Sequence, residues 1–226
     1  MSALDFLTPS APAAGDVLAR SPMERLARAA GARFEVRDGW NVPVAFGEPR
    51  VEAERIDRFV GFADRSWLVK LEVSASAEAV AGLELSPGVA ELRGGAWWCP
   101  VTPERVLVLG EPGDVGLRAR ADTLGGRVVD VTCGLAALVL AGPLCRELLA
   151  RFCAIDVRSA VSPVASFRPG SVARTPGYVL VEGEDRLLIM VGWALGQYLY
   201  EVVADAAEHL GGGPVGVDAL SAVANA

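Results

Sequence analysis

The sequence is constrained most by strand-like segments that come in adjacent pairs, with connections too short to hold a helix. The stretch 31–47, GARFEVRDGWNVPVAFG, is the first pair, two short segments around a turn at Asp38, Gly39, Trp40 and Asn41. Antiparallel neighbours can be joined by a tight turn, whereas parallel neighbours need a long crossover. The pattern therefore predicts an α+β fold with mainly antiparallel sheets, and further strands within 61–74 and at 96–101, 105–109, 127–132, 135–141, 178–182 and 186–192.

Helices are predicted where capping signals and apolar spacing coincide. The residues SPME at 21–24 form a capping box with proline at the first helical position, and Gly31 stops that helix. Gly211 similarly ends the longest predicted helix. The predicted helices are 22–30, 48–60, 114–123, 143–153 and 193–210.

Composition indicates an ordered globular protein with a short N-terminal extension. Of 226 residues 52% are apolar and 22% charged, enough for a sizeable core. Residues 1–20, rich in Ala, Pro, Ser and Gly, are predicted to be a mobile arm before one domain at 21–226. The net charge of −7, with arginines interspersed among acids, argues against a nucleic-acid partner.

The chain shows no secretory signal, and its longest apolar run, residues 131–144, is too short for a membrane span. We therefore expect a cytoplasmic protein without a membrane partner. The four cysteines form no CxxC pair, so buried free thiols are expected in place of a metal site. His209, the only histidine, is interpreted as a surface cap at a helix C-terminus.

No nucleotide-binding glycine motif or nucleophile elbow occurs, so any chemistry must use carboxylates, tyrosines, tryptophans, arginines or backbone groups. Trp97 and Trp98 are candidates to stack on a flat ring; alternatively, one indole lies in the core and the other at an interface. Arg168 and Arg174 are cations suited to a carboxylate-bearing ligand.

The order of several short motifs resembles that of glycine-cleavage T-proteins, the aminomethyltransferases. The opening SP, GARF and GWNVPV motifs lead, as in that family, to a segment VGFADRS at 60–66. Further similar stretches are VDVT at 129–132, LVLAGPLCRELL at 138–149, SFR at 166–168, ART at 173–175, LLIMV at 187–191 and QYLYE at 197–201.

The resemblance implies the family's folate-binding domain, a compact α+β unit with ferredoxin-like parts, and the family's C-terminal barrel domain has no counterpart. In this family the turn at Trp40 braces the domain, so Trp40 is interpreted as structural.

The second half of the chain is similar to the gamma subunit of heterotetrameric sarcosine oxidase, a small relative of this domain. The first hypothesis is accordingly a gamma-type subunit of a heteromeric amine oxidase or demethylase, structural or channel-closing, with flavin held only by a partner flavoprotein. The second is a stand-alone tetrahydrofolate-dependent aminomethyl transferase with a rebuilt site. The third hypothesis is a member of the iron–sulfur maintenance branch of the superfamily, but the cysteine motif of that branch does not occur in this sequence.

The resemblance also indicates where a folate site would lie. The family's catalytic Asp falls in 91–104, where only Glu91 and Glu104 are acidic, so the catalytic residue is unknown. The family's pterin-binding Glu aligns near Leu188, and the RTPGY and GED segments resemble its motifs. Tetrahydrofolate is thus a possible cofactor, with candidate ligand-binding residues Tyr178, Glu184, Trp97, Trp98 and Arg174.

Overall fold

The computed structural model describes residues 18–224, and its strands form three sheets. The six-stranded sheet has the order β11-β12-β13-β10-β4-β14, the five-stranded sheet β6-β7-β8-β5-β9 and the three-stranded sheet β1-β3-β2. The strands are β1 Ala19–Arg20, β2 Arg33–Arg37, β3 Trp40–Ala45, β4 Gly61–Asp64, β5 Val69–Ser74, β6 Glu91–Arg93, β7 Ala96–Thr102, β8 Arg105–Gly110, β9 Arg127–Asp130, β10 Leu135–Ala141, β11 Phe167–Val172, β12 Thr175–Gly183, β13 Arg186–Gly192 and β14 Gly213–Pro214.

The two larger sheets confirm the predicted α+β class with mainly antiparallel pairing. Only the two-residue pairs β1–β3 and β14–β4 are parallel among the described strands. The helices are α1 Glu24–Ala29, α2 Pro49–Arg58, α3 Ala77–Ala81, α4 Leu117–Asp122, α5 Cys145–Ala150, α6 Gly196–Glu208 and α7 Val217–Ala224. None of them is long and apolar enough to cross a membrane.

The core lies in three layers that follow the alternation of side chains along the strands. One face of the six-stranded sheet packs against α5 and α6, with Ile189 of β13 in this layer. The other face packs against the five-stranded sheet, and Leu188 lies in this inter-sheet layer beside Leu107 and Leu109 of β8. The outer face of the five-stranded sheet is covered by α3 and α4, with Val108 of β8 in that layer.

Trp40 is a structural anchor, in agreement with its interpretation from the sequence. Asp38 and Gly39 both have positive φ, as a two-residue hairpin turn requires, so Trp40 begins β3 directly after the turn. Its partly buried indole packs against a small cluster that contains Val42 and Val217, and meets the ring of Trp193 edge-on at 6.1 Å.

Several elements depart from the sequence prediction. The predicted strand within 61–74 is two strands, because residues 65–68 leave β4 and enter β5 of another sheet. Ala19 and Arg20, assigned to the N-terminal arm, form β1; residues 1–17 of that arm lie outside the described residues.

His209 has the predicted position, since it is the exposed C-cap of α6, where its Nδ1 lies 2.8 Å from the carbonyl oxygen of Asp205.

Candidate functional site

Tyr178 lies in an open groove at one end of the six-stranded sheet, with a volume of about 660 Å³. Its ring stacks on Phe167 of the neighbouring strand, with centroids 5.4 Å apart and planes 12° from parallel. β12 places Tyr178 opposite Pro169 of β11 on one side and Met190 of β13 on the other. This Tyr178 groove is lined by Leu135, Pro169, Gly170, Pro176, Gly177, Tyr178, Gly192 and Leu195.

The two candidate tryptophans are separated because consecutive strand residues point to opposite faces of a sheet. Trp97 is partly buried and packs against the inter-sheet layer, against which Tyr178 also packs. Trp98 is 5% exposed and lies in the outer layer beneath α3 and α4. Trp98 therefore corresponds to the alternative of one indole in the core, and its burial argues against a stacking role.

Arg174 and Glu184 lie at opposite ends of β12 and do not form one site with each other. Arg174 is exposed in the two-residue turn between β11 and β12, with φ of 62°. Glu184 is exposed in the turn between β12 and β13, where its carbonyl accepts a 3.2 Å hydrogen bond from Arg146 Nε. The nine residues of β12 separate the two by roughly 30 Å, which is too far for one small ligand to contact both.

Of the candidate acids, Glu91 begins β6 and pairs with Trp98 of β7, whereas Glu104 lies in the turn between β7 and β8; both are exposed. Glu91 pairs with Arg93, which lowers the pKa of the carboxyl group. Leu188, near which the resemblance places the family's pterin-binding Glu, is fully buried in the inter-sheet layer. The space between the sheets at this position is therefore filled by side chains.

The sequence pattern did not predict a buried polar cluster around Lys70, which also contains Asp64, Ser66 and Thr132. Strand alternation groups Lys70 with the polar residues Glu72 and Ser74, but the Lys70 side chain is fully buried. Its Nζ donates hydrogen bonds of 2.8 Å to the carbonyls of Ser66 and Leu68, and a longer one of 3.4 Å to Thr132. Lys70 is the only lysine in the sequence, which distinguishes it but does not indicate that it is buried.

Burial controls the titration of this cluster. Removal from water lowers the pKa of Lys70 to about 8, although the carboxylate of Asp64 opposes the shift. Burial likewise raises the pKa of Asp64, although its carboxylate accepts a 2.9 Å hydrogen bond from the Ser66 N–H. Because Lys70 is held by backbone carbonyls, the cluster ties the β4–β5 connection to the turn before β10.

The Tyr178 groove has the size of a small-molecule site but few polar groups. Its lining consists of aliphatic residues, prolines, glycines and one phenol, with no carboxylate or cation among the described residues. An aminopyrimidine edge such as that of a pterin is best held by a carboxylate that accepts two N–H bonds. The groove can therefore bind an apolar or flat group, and its residues do not fit a pterin clamp. No group of three or more metal-ligating side chains occurs in residues 18–224.

Comparison with solved structures supports the predicted fold. A chain of the heterotetrameric sarcosine oxidase from Corynebacterium sp. U-96, in complex with pyrrole 2-carboxylate, matches with a TM-score of 0.65 and 19% identity, over 85% of this chain and 96% of that chain. The glycine cleavage system aminomethyltransferase T from Bartonella henselae matches with a TM-score of 0.72 and 17% identity, over 89% of this chain and 60% of that chain. No protein-family model and no curated protein matches the sequence.

These matches confirm the T-protein-like fold that the order of motifs predicted. At 17% and 19% identity they concern the fold, and they do not transfer activity, cofactor or partners.

Proposed function

We propose that this chain is a gamma-type subunit of a heteromeric, sarcosine-oxidase-like amine oxidase or demethylase in folate-linked one-carbon metabolism. The observation that carries the proposal is the extent of the structural likeness. The matched sarcosine oxidase chain is covered over 96% of its length, whereas the aminomethyltransferase chain is covered over 60%. Its role in the complex is structural or channel-closing, a partner chain holds the flavin, and the assembly is cytoplasmic.

Two features of the described residues are in keeping with a subunit role. Leu188, near which the resemblance places the family's pterin-binding Glu, fills the inter-sheet layer. The candidate acids Glu91 and Glu104 are exposed, in β6 and in the β7–β8 turn, and neither lines the Tyr178 groove.

The proposal is tested by affinity purification of the tagged full chain from cells that produce it naturally. We expect a stoichiometric partner whose absorbance spectrum is that of a bound flavin, and amine-dependent reduction of that flavin. A parallel purification with the tag alone controls for adventitious flavoproteins. Recovery of the chain without any flavin-bearing partner contradicts the proposal.

The second candidate function is a stand-alone tetrahydrofolate-dependent aminomethyl transferase with a rebuilt site. Its support is the size of the open groove beside Tyr178, about 660 Å³, and a phenol that can stack on a flat ring; the groove lacks an acid for a pterin edge, so a rebuilt site would hold the ring by stacking. Titration of the purified chain with folinic acid by calorimetry tests it. Micromolar binding that is lost in Tyr178→Ala and kept in Tyr198→Ala supports this function, since Tyr198 is an exposed tyrosine outside the groove. Absence of binding to the parent chain rejects it.

A further inference from the structure

A second cavity lies on the outer face of the five-stranded sheet, between the β6–β7 turn and α4. It has a volume of about 280 Å³, and we call it the Arg120 cavity. It is separate from the Tyr178 groove, because Trp98 in its wall lies in the outer layer, whereas Tyr178 packs against the inter-sheet layer. The residues that line the Arg120 cavity are Leu83, Arg93, Gly94, Trp98, Arg120 and Thr123.

The β6–β7 hairpin brings one of the two arginines to this cavity. The two turn glycines have positive φ, as a two-residue hairpin turn requires, and Arg93 closes the turn. Glu91, two residues before Arg93, pairs with Trp98 of the neighbouring strand. Because strand side chains alternate between the two faces of a sheet, Arg93 and Trp98 point to the same, outer face.

The second arginine reaches the cavity from α4. Its Nη2 donates a 3.4 Å hydrogen bond to the carbonyl of Gly94. The absence of a side chain at Gly94 lets the guanidinium group lie against the turn, since a Cβ there would be 3.7 Å from Arg120 Nε. Two guanidinium groups from separate elements thus meet at one cavity.

The acids that pair with these arginines are not part of the cavity. Arg93 pairs with Glu91 and Arg120 pairs with Asp114, and neither carboxylate lines the cavity. Within the described residues its wall therefore carries two cations and no anion. The arginine side chains are 33% and 37% exposed, so each guanidinium group can turn to admit a ligand.

Two further N–H groups in the wall have no acceptor. Trp98 is 5% exposed, and its Nε1 is buried without a hydrogen-bond partner among the described residues. The Nε of Arg120 is also buried without a partner. Both groups can donate hydrogen bonds but cannot accept them, and a buried donor without an acceptor destabilises the folded chain. The wall therefore has unused donors from two residues beside two positive charges.

We propose that the Arg120 cavity binds a small oxyanion, the carboxylate or phosphate group of a soluble ligand. Oxyanions only accept hydrogen bonds, and guanidinium groups match their geometry. Arg120 Nε and Trp98 Nε1 donate to the anion, and Arg93 supplies the second positive charge. The inference is independent of the proposed function, because the cavity and the Tyr178 groove have no lining residue in common.

The indole N–H of Trp98 reports directly on such a contact in the full-length chain. The five tryptophans give five indole signals in a ¹⁵N–¹H spectrum, and Trp98→Phe identifies the signal of Trp98. We expect phosphate or succinate, added at constant ionic strength, to move this signal downfield as the N–H gains a charged acceptor. The shift should saturate at about 1–10 mM anion, and the remaining indole signals are the internal control.

A charge placed beside the cavity tests the site without removal of either arginine. Thr123 is exposed and lines the cavity, so Thr123→Glu adds a like charge there, and Thr123→Gln is the neutral control. We expect the dissociation constant for phosphate to be about tenfold higher in Thr123→Glu than in Thr123→Gln or the parent. Arg120→Gln should weaken binding by a similar factor, whereas Arg118→Gln, at an exposed arginine of the same helix outside the cavity, should not.

The proposal is overturned if neither anion moves the Trp98 signal, or if all the indole signals move together. It is also overturned if Thr123→Glu binds phosphate as tightly as Thr123→Gln. Tighter binding of succinate than of phosphate assigns the cavity to a carboxylate group, and the reverse order assigns it to a phosphate group. The proposed subunit function is tested separately, by the search for a flavin-bearing partner, so the two can fail independently.

Discussion

At the scale of single residues, buried charges that bind backbone groups hold separate segments together. Glu52 of α2 is 2% exposed, and its Oε1 accepts hydrogen bonds from the N–H groups of Phe46 and Gly47 at 2.8 and 2.9 Å. Its Oε2 accepts a 2.5 Å hydrogen bond from the N–H of Gly216. One carboxylate thus joins the end of β3 to the segment that precedes α7.

Glu52→Ala is expected to lower the free energy of unfolding by about 2–4 kcal/mol, because it leaves buried N–H groups without acceptors. The matched control is Glu54→Ala on the same helix, since Glu54 is exposed and pairs with Arg58 at the surface. That change is expected to cost less than about 0.5 kcal/mol. Urea unfolding measures both, and equal costs contradict the assigned role of Glu52.

Lys70 gives a pH dependence of stability whose sign follows from its lowered pKa. The pKa in the folded chain is about 8, against an ordinary value of 10.5, so between these values the unfolded chain binds more protons. Stability from this group therefore rises with pH through that window, by about 1.4 kcal/mol per pH unit. Lys70→Met removes the titration, so the unfolding free energy of the parent minus that of the variant should increase by about 1 kcal/mol from pH 8 to pH 9, because Lys70 is still half protonated in the folded chain at pH 8. A constant difference contradicts the interpretation. Because parent and variant are compared at each pH, the contributions of other titrating groups cancel. One such group is Cys145, because burial raises its pKa.

At the scale of elements, the sequence predicted the strands and helices whose residues form a continuous local pattern. The predicted bounds of β10 and β13, 135–141 and 186–192, are confirmed, because each is an unbroken apolar run flanked by glycine or charged residues. β11 was missed because its sequence FRPGSV contains proline and glycine, which are tolerated at a sheet edge. α3 was missed because it has only five residues, and its N-cap Ser76 is an isolated signal.

The candidate site shows the same division between local and non-local information. Tyr178 was singled out from its motif, whereas Leu135, Pro169 and Leu195 join it in the groove only through the pairing of distant strands. Strand period alone groups Lys70 with the polar residues Glu72 and Ser74; its burial depends on a turn far along the chain, since Thr132, which it contacts, is 62 residues away. The alternation within a strand fixes which side chains share a face, but not which face is buried.

The strand period itself gives a prediction for β7. Trp98 is buried beneath α3 and α4, whereas Trp97 is partly exposed at the border of the inter-sheet layer. Trp98→Ala is expected to lower the free energy of unfolding by about 3–5 kcal/mol, through lost burial and a cavity, and Trp97→Ala by about half as much. Thermal and urea unfolding of the two variants provide the measurement. A larger cost at Trp97 would show that the assignment of faces is reversed.

At the scale of the whole molecule, the inter-sheet layer decides between a closed scaffold and a ligand channel. Side chains from both large sheets meet there, and Leu188, Met190 and Phe167 from the six-stranded sheet are buried in it. The resemblance to the T-protein family places that family's pterin-binding acid near Leu188. A layer filled by side chains has no room for a ligand, so it favours the subunit role. Contacts with a partner or ligand are then made at the surface, where the Tyr178 groove lies.

Leu188→Glu tests this directly. A carboxylate placed without a partner in a filled apolar layer should cost at least about 4 kcal/mol, a large part of the roughly 5–15 kcal/mol that stabilises a typical domain. Leu188→Met conserves volume and should cost less than about 1.5 kcal/mol. Leu92→Glu, at an exposed leucine of β6, should change stability by no more than about 0.5 kcal/mol. Soluble yield, circular dichroism and urea unfolding compare the three variants. If Leu188→Glu folded as stably as Leu92→Glu and gained affinity for folinic acid, the layer would be an open channel, and the stand-alone transferase would become the better-supported function.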